Sequence, residues 1–313
     1  MTLRFSIIIP TFNRRLMLRT ALASVRAQRW PDVEMIVVDG GSSDGTLQEL
    51  STHRDIRVVP GPDRGVYDAF NKGIACAGGD VIGILNSDDS YEPGTFEAVD
   101  HAFTQQVHSV CGTALVVANN RVVTRFDDET DKALASPRTT FIGSCAPNAR
   151  FFRRTAMEKI GPFSLDYKYV SDRDWLTRWY EAGLLTATIP NVVYHYRQHP
   201  GSLTFDADRD RELAIREELV QLARHWRKMI GASDEVKHYA AMVEGRCRAY
   251  LALAALRGGR FSDIKRWLID EDGRASVGPV ATVVRSGPDW IVETVKRRLA
   301  GSGGPNLNIQ RST

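Results

Sequence analysis

Over the first hundred residues, short apolar segments alternate with helix-periodic ones, and the apolar segments run into polar clusters. Residues 5–10 are apolar and largely β-branched, the pattern of a strand covered on both faces. Residues 16–28 carry Leu18, Ala21, Leu22 and Val25 at helical spacing. Residues 35–38 read as a second strand ending at Asp39, 46–52 as a short helix, and 56–59 as a third strand. Residues 66–77 read as a longer helix and 81–85 as a fourth strand ending at Asn86. Strands joined through helices favour a parallel sheet, because each crossover returns the chain to the same end. Ligands of such sheets bind beyond the carboxyl ends of the strands. Thr11-Phe12-Asn13, Asp39 to Asp44 and Asn86 to Asp89 fall there.

Residues 107–117 and 120–126 read as a strand pair turning at Asn119-Asn120. Phe151-Phe152 precede a helix over 155–160 that Gly161-Pro162 stop. A helix over 172–182 follows, then a strand over 189–196. From residue 206 the pattern is helical, over 209–229, 235–257, 262–268 and 289–300. The expected division is an α/β domain over 1–205, a helical extension over 206–300 and a flexible tail over 301–313.

The formal charge of +3 is too slight for a nucleic-acid surface. No apolar run reaches the ~20 residues of a membrane span. The first apolar run stops at Pro10, so it reads as a buried strand and not as a leader. Cys76, Cys111, Cys145 and Cys247 stand apart, with no CxxC pair, and read as reduced thiols of a cytosolic protein.

Two adjacent carboxylates, Asp88-Asp89, follow the fourth strand. Asp and Ser also suit caps and solvated turns. An oxygen cluster at a parallel-sheet edge equally suits a hard divalent cation, which bridges to phosphates. Asp39 before Gly40-Gly41 is placed to accept hydrogen bonds from a base or ribose, or to sit in a tight turn. Asp63, Arg64, Asp68 and Lys72 make the helix over 66–77 unusually polar for pure packing.

These segments together resemble family 2 glycosyltransferases of the GT-A fold. The resemblance rests on Ser6 to Arg14, Val38 to Thr46, Asp63 to Gly73 and Leu85 to Asp89, in that order, and extends to about residue 205. It implies a nucleotide-binding α/β domain with a mainly parallel central sheet. It places Pro10, Thr11, Asn13, Asp39, Asp68, Lys72, Asn86 and Ser87 against a nucleotide-sugar donor, with Asp39 on the base, typically uracil. It assigns Asp88 to a Mn²⁺ or Mg²⁺ ion on the diphosphate, with Asp89 close by. The chain departs from the family's Asp-x-Asp by having Asn86 first, and it has Phe70 where many members carry Arg. Tyr169 to Trp175 resembles the segment of the catalytic base, which points to Asp172, with Asp174 in reserve. A helix N-terminus capped by Ser171 is compatible with that assignment. Tyr196 to Thr204 resembles the segment that supplies a late histidine to the metal, here His199.

The resemblance implies an inverting transfer from a UDP-sugar to a glycan or lipid-linked acceptor, in the cytoplasm or at the inner face of the membrane. Two other readings stay open. A nucleotidyltransferase needs a Gly-rich basic loop after the first strand, where this chain has Pro10-Thr11-Phe12-Asn13. A non-catalytic glycan-binding module draws support from Asn86. The basic end of the helix over 289–300 suits either packing on the catalytic domain or an anionic membrane surface. The helices over 209–257 suit a homodimer interface or a cover for the acceptor cleft.

Overall fold

The structure is a computed structural model that describes residues 2–126, 136–143, 147–199, 201–202 and 208–268. The helix expected over 289–300, the tail over 301–313 and Cys145 lie outside the described residues.

The first half alternates as expected: β1 (Phe5–Thr11), α1 (Arg15–Arg26), β2 (Val33–Asp39), α2 (Thr46–Leu50), β3 (Ile56–Pro60), α3 (Val66–Cys76) and β4 (Val81–Ile84). There follow β5 (Ser90–Tyr91), α4 (Thr95–Ala102), the hairpin β6 (Ser109–Ala118) and β7 (Arg121–Phe126), α5 (Pro137–Phe141), β8 (Arg150–Arg153), α6 (Arg154–Ile160), α7 (Ser171–Glu181) and β9 (Thr186–Arg197). Three helices close the described chain: α8 (Arg209–Lys228), α9 (Asp234–Arg257) and α10 (Phe261–Leu268).

The sheet runs β3-β2-β1-β4-β8-β6-β9-β5, with β7 paired to the far half of β6. β1 to β4 are mutually parallel, and β6 and β9 run in the same sense. β5, β7 and β8 oppose them. The sheet is therefore mainly parallel, with a mixed second half. Asn119 and Asn120 both take positive φ, 49° and 59°, the geometry of a tight hairpin turn.

The apolar run Ile7-Ile8-Ile9 in β1 is explained by burial on both faces. Phe5, Ile7 and Ile9 pack with Leu18, Leu22 and Val25 of α1 and with Phe96 of α4. Ile8 faces the other way, with Ile36 and Val38, Tyr67 and Phe70 of α3, and Trp175 and Trp179 of α7. Each such side chain, fully buried, contributes roughly 2 kcal/mol of transfer free energy. Gly73 lets α3 approach closely: a Cβ there would lie 2.3 Å from Ile8 Cγ2.

A third apolar cluster joins the helical region to this domain. Val220, Leu222 and Trp226 of α8 and Val236, Ala240 and Val243 of α9 pack with Phe141 and Val170. Asp208 accepts from the backbone N–H groups of Asp210 and Arg211, and Ser233 from that of Val236, which starts α8 and α9. Among the described residues no helix is long and apolar enough to cross a membrane. Cys76, Cys111 and Cys247 are free thiols.

The pairing of β6 with β9 is irregular. Its register shifts between Cys111 and Ala114, opposite a stretch of β9 that contains Pro190. Proline has no N–H to give the ladder, so the strand bulges and bends there. The far half of β9, from Val192 to Arg197, then also pairs with β5 through Tyr194 and His195.

Candidate active site

The carboxyl ends of β1, β2, β4 and β9 lie on one edge of the sheet, and the polar clusters converge there. The loops after β1 and β2 clasp each other. Asn13 takes a positive φ of 52°, accepts from the Ser43 N–H at 2.8 Å, and its own N–H donates to Ser42 Oγ at 2.8 Å. Asn is among the few residues that tolerate that conformation. Asp44 joins the starts of α1 and α2, accepting from the N–H groups of Arg15 and Thr46.

Asp39 ends β2 and is fully buried. Its Oδ1 accepts from the Gly41 and Ser42 N–H groups at 3.0 and 2.8 Å. Its Oδ2 is buried with no partner among the described residues, as is the Thr11 hydroxyl one strand away. A buried carboxylate oxygen without a donor is costly, and native sites leave one only where something else completes it. Phe12, next to Gly40 in the loop after β1, is 57% exposed. The Asp63 carboxylate crowds Gly40, where a Cβ would lie 2.6 Å from Asp63 Oδ2. Pro10 is buried in β1 opposite Val38.

The loop after β4 carries Asn86, Ser87, Asp88 and Asp89. Asp88 Oδ2 lies 2.9 Å from His199 Nε2, across 111 residues of sequence. The Arg14 guanidinium contacts the same oxygen. Asp88 is 8% exposed, so this cluster is well shielded from water.

Asp89 faces the other way. Its Oδ2 accepts from the Tyr194 hydroxyl at 2.7 Å and from the Asn86 amide at 3.0 Å, and its Oδ1 from the Arg197 N–H at 2.8 Å. Burial, then the neighbouring Asp88 charge, pushes its pKa up to about 7 against those three hydrogen bonds. Tyr194 is itself fully buried and accepts from the Asn86 N–H and the Asn148 amide. Asp89 therefore clasps the β4 loop to β9 instead of presenting a bare carboxylate beside Asp88. The same clasp brings His199, two residues beyond Arg197, to Asp88. Ser87 is buried between Asn86 and Asp88.

The predicted donor contacts Asp68 and Lys72 pair with each other at 3.0 Å. They also hold the preceding turn: the Arg64 N–H donates to Asp68 Oδ2, and Lys72 Nζ donates to the Pro62 carbonyl.

The two acids of α7 part company. Asp172 is half-buried, and its Oδ1 accepts from the Arg173 N–H at 2.9 Å. Burial raises its pKa above the ordinary carboxylate value, against the opposing Arg173 charge, that N–H and the Tyr67 hydroxyl. Asp174 is 6% exposed, with Oδ2 held by Arg178 at 3.0 Å and Oδ1 by the Trp226 indole N–H of α8 at 3.1 Å. Both its oxygens thus serve packing. Ser171 does not cap the helix: Val170 occupies that position, and the Ser171 hydroxyl donates to the Ser164 carbonyl. Glu218 of α8 accepts from the N–H groups of Lys168 and Tyr169, fixing the segment that leads to Asp172.

Two contributors, Arg14 and Tyr194, carry no sequence signal of their own. Arg14 is merely the basic residue after Asn13, and Tyr194 matters only through the pairing of β5 with β9. Among the described residues, no three His, Cys, Asp or Glu side chains form a ready-made metal cluster. One carboxylate and one imidazole suit Mg²⁺ or Mn²⁺ when a ligand's phosphate oxygens complete the shell.

Comparison with known proteins gives a consistent answer. The family profile described as Glycosyl transferase family 2 matches residues 6–161. A PGL/p-HBAD biosynthesis glycosyltransferase of Mycobacterium tuberculosis is 32% identical over 250 residues, spanning 72% of this chain and 92% of the relative. The crystal structure of TarS 1-349 from S. aureus, in complex with UDP-GlcNAc, superposes with a TM-score of 0.64 at 16% identity, covering 95% of this chain and 92% of that one. The mannosyltransferase PcManGT of Pyrobaculum calidifontis, in complex with GDP-Man and Mn²⁺, gives a TM-score of 0.59 at 21% identity over 96% of this chain and 84% of that one. These two structures speak to the fold, which is that of GT-A glycosyltransferases.

Proposed function

The chain belongs to glycosyl transferase family 2, and from that premise we propose an inverting sugar transfer from a UDP-sugar to a hydroxyl of a glycan or lipid-linked saccharide. The observation that carries the reading is the meeting of Asp88 and His199, 2.9 Å apart and 111 residues apart in sequence, on the edge that also bears Asp39.

In this reading the unpartnered Asp39 Oδ2 accepts the ring N–H of uracil, and the Phe12 ring lies beside the base. Pro10, Thr11, Asn13, Asn86 and Ser87 line the nucleotide side. Asp88 and His199 hold Mn²⁺ or Mg²⁺, the imidazole favouring Mn²⁺. The bound cation offsets the negative charge that develops on the departing diphosphate. Asp172 takes the acceptor's proton as that oxygen bonds to the anomeric carbon and the bond from that carbon to the diphosphate breaks. A single displacement inverts the centre. The raised pKa of Asp172 makes it a stronger base than a solvated aspartate. Asp89 and Asp174 act through position: one holds the β4 loop, the other holds α7 against α8. The enzyme meets its acceptor in the cytoplasm or at the inner membrane face.

The test is release of UDP from a panel of UDP-sugars, with Mn²⁺ and with chelator, by wild type and Asp172→Asn. Metal-dependent release is expected from the wild type. The variant is expected to lose about 10³-fold in transfer rate and keep UDP affinity within about two-fold. Comparable turnover by the variant overturns the assigned base. UDP binding indifferent to metal overturns the cation site.

A further inference from the structure

Arg14 sits in the loop after β1 and reaches the loop after β4, where its guanidinium contacts Asp88 Oδ2. Its other terminal nitrogen donates to the Gly201 carbonyl at 3.3 Å, in the segment just beyond His199. His199 Nε2 lies 2.9 Å from that same Asp88 oxygen. A fixed positive charge and a metal-ligating pair thus share one carboxylate oxygen.

That sharing has consequences. The guanidinium places a full positive charge on that oxygen. A divalent cation at Asp88 Oδ2 would lie against it, and like charges repel strongly where water is scarce. Asp88 is 8% exposed, so screening is weak there. The Arg14 side chain is 27% exposed on a long flexible stem, so it has room to leave. Its planar fork matches phosphate oxygens, whose charge arrives together with the cation.

We propose that Arg14 is an exchangeable counter-ion: it neutralises Asp88 in the free protein and moves onto the diphosphate when nucleotide and cation bind. Arg14 thereby makes cation binding conditional on the nucleoside diphosphate. By linkage, the cation then raises nucleotide affinity by the same factor. This proposal rests on the reading of Asp88 and His199 as the cation site.

The experiment is calorimetric titration of Mn²⁺ into the full chain, with and without UDP, for wild type, Arg14→Met and Arg14→Lys. Arg14→Met keeps the stem and removes the charge, whereas Arg14→Lys keeps the charge without the fork. Without UDP, Arg14→Met is expected to bind Mn²⁺ at least about ten-fold more tightly than wild type, with Arg14→Lys close to wild type. At saturating Mn²⁺, Arg14→Met is expected to bind UDP about ten-fold more weakly than wild type, and Arg14→Lys in between. Equal or weaker Mn²⁺ binding by Arg14→Met without UDP overturns the counter-ion role and leaves the cation site standing. Failure of all three proteins to bind Mn²⁺, even with UDP, overturns both.

Discussion

The Tyr194 hydroxyl makes three hydrogen bonds beneath the candidate site, and its removal is expected to loosen the β4 loop measurably. In Tyr194→Phe the ring stays in its fully buried place, next to Tyr91 and Tyr196, and only the oxygen is lost. Three hydrogen bonds go with it: one to the Asp89 carboxylate at 2.7 Å, one from the Asn86 N–H at 3.1 Å and one from the Asn148 amide at 3.2 Å. A bond to a charged group is worth roughly 2 kcal/mol, and neutral ones about 1 kcal/mol each, more when a buried partner is stranded. The two longer bonds count for less, so the expected loss is about 3 kcal/mol. For a chain of this size that is a fall of about 5 °C in Tm. Urea unfolding followed by tryptophan fluorescence measures the loss directly. A cycle with Asp89→Asn isolates the pair, with a coupling of at least about 1 kcal/mol expected. Because Asp89 adjoins Asp88, Mn²⁺ affinity in the presence of UDP is also expected to fall. A variant within about 0.5 kcal/mol of wild type, with zero coupling, refutes the view that this clasp holds the β4 loop.

Glu244 offers a pH-dependent case. It is 4% exposed between Arg224, Arg227 and Arg248. Burial pushes its carboxyl up, but the arginines, Arg224 and Arg227 foremost, outweigh this and hold it below the ordinary glutamate value. A lowered folded-state pKa means stability present above the unfolded value and lost as pH falls through the folded one. The gap in unfolding free energy between wild type and Glu244→Gln is expected to be roughly 3 kcal/mol near pH 7 and to close below pH ~4, as denaturant titrations across that range will show. Gly73→Ala places a methyl 2.3 Å from Ile8 Cγ2 and 3.2 Å from Val38 Cγ2, so α3 must lift from the sheet. The expected cost is about 2–3 kcal/mol of overpacking, read as a lower urea midpoint.

Much of the site was legible because its parts sit at the ends of strands with strong periodicity. Asp39 and Asp88 follow apolar runs in β2 and β4, so their place on the sheet edge followed from topology alone. The family findings then favoured the glycosyltransferase reading over the nucleotidyltransferase one. Less was visible between Ser90 and Arg153. β5 has two residues and β8 four, too few for a period to show, and both exist because a neighbouring strand offers an open edge. The helices α4 and α5, of eight and five residues, are likewise too short to show a clear period. The start of α7 misled in one detail: Ser171 has the composition of a cap, yet its hydroxyl turns to Ser164.

Sequence by itself determined the alternation of strands and helices, the parallel half of the sheet and the edge where the polar clusters gather. Those features depend on local periodicity, which each segment carries within itself. Tertiary structure alone decided which partners hold each acid. Asp88 and Asp89 are neighbours, as are Asp172 and Asp174 nearly so, and no local rule separates them. Asp89 is claimed by Tyr194 and Asp174 by Trp226, partners 105 and 52 residues away. Hydrogen bonds in a buried site are short-ranged and directional, so a carboxylate's role is set by whichever distant donors folding delivers to it.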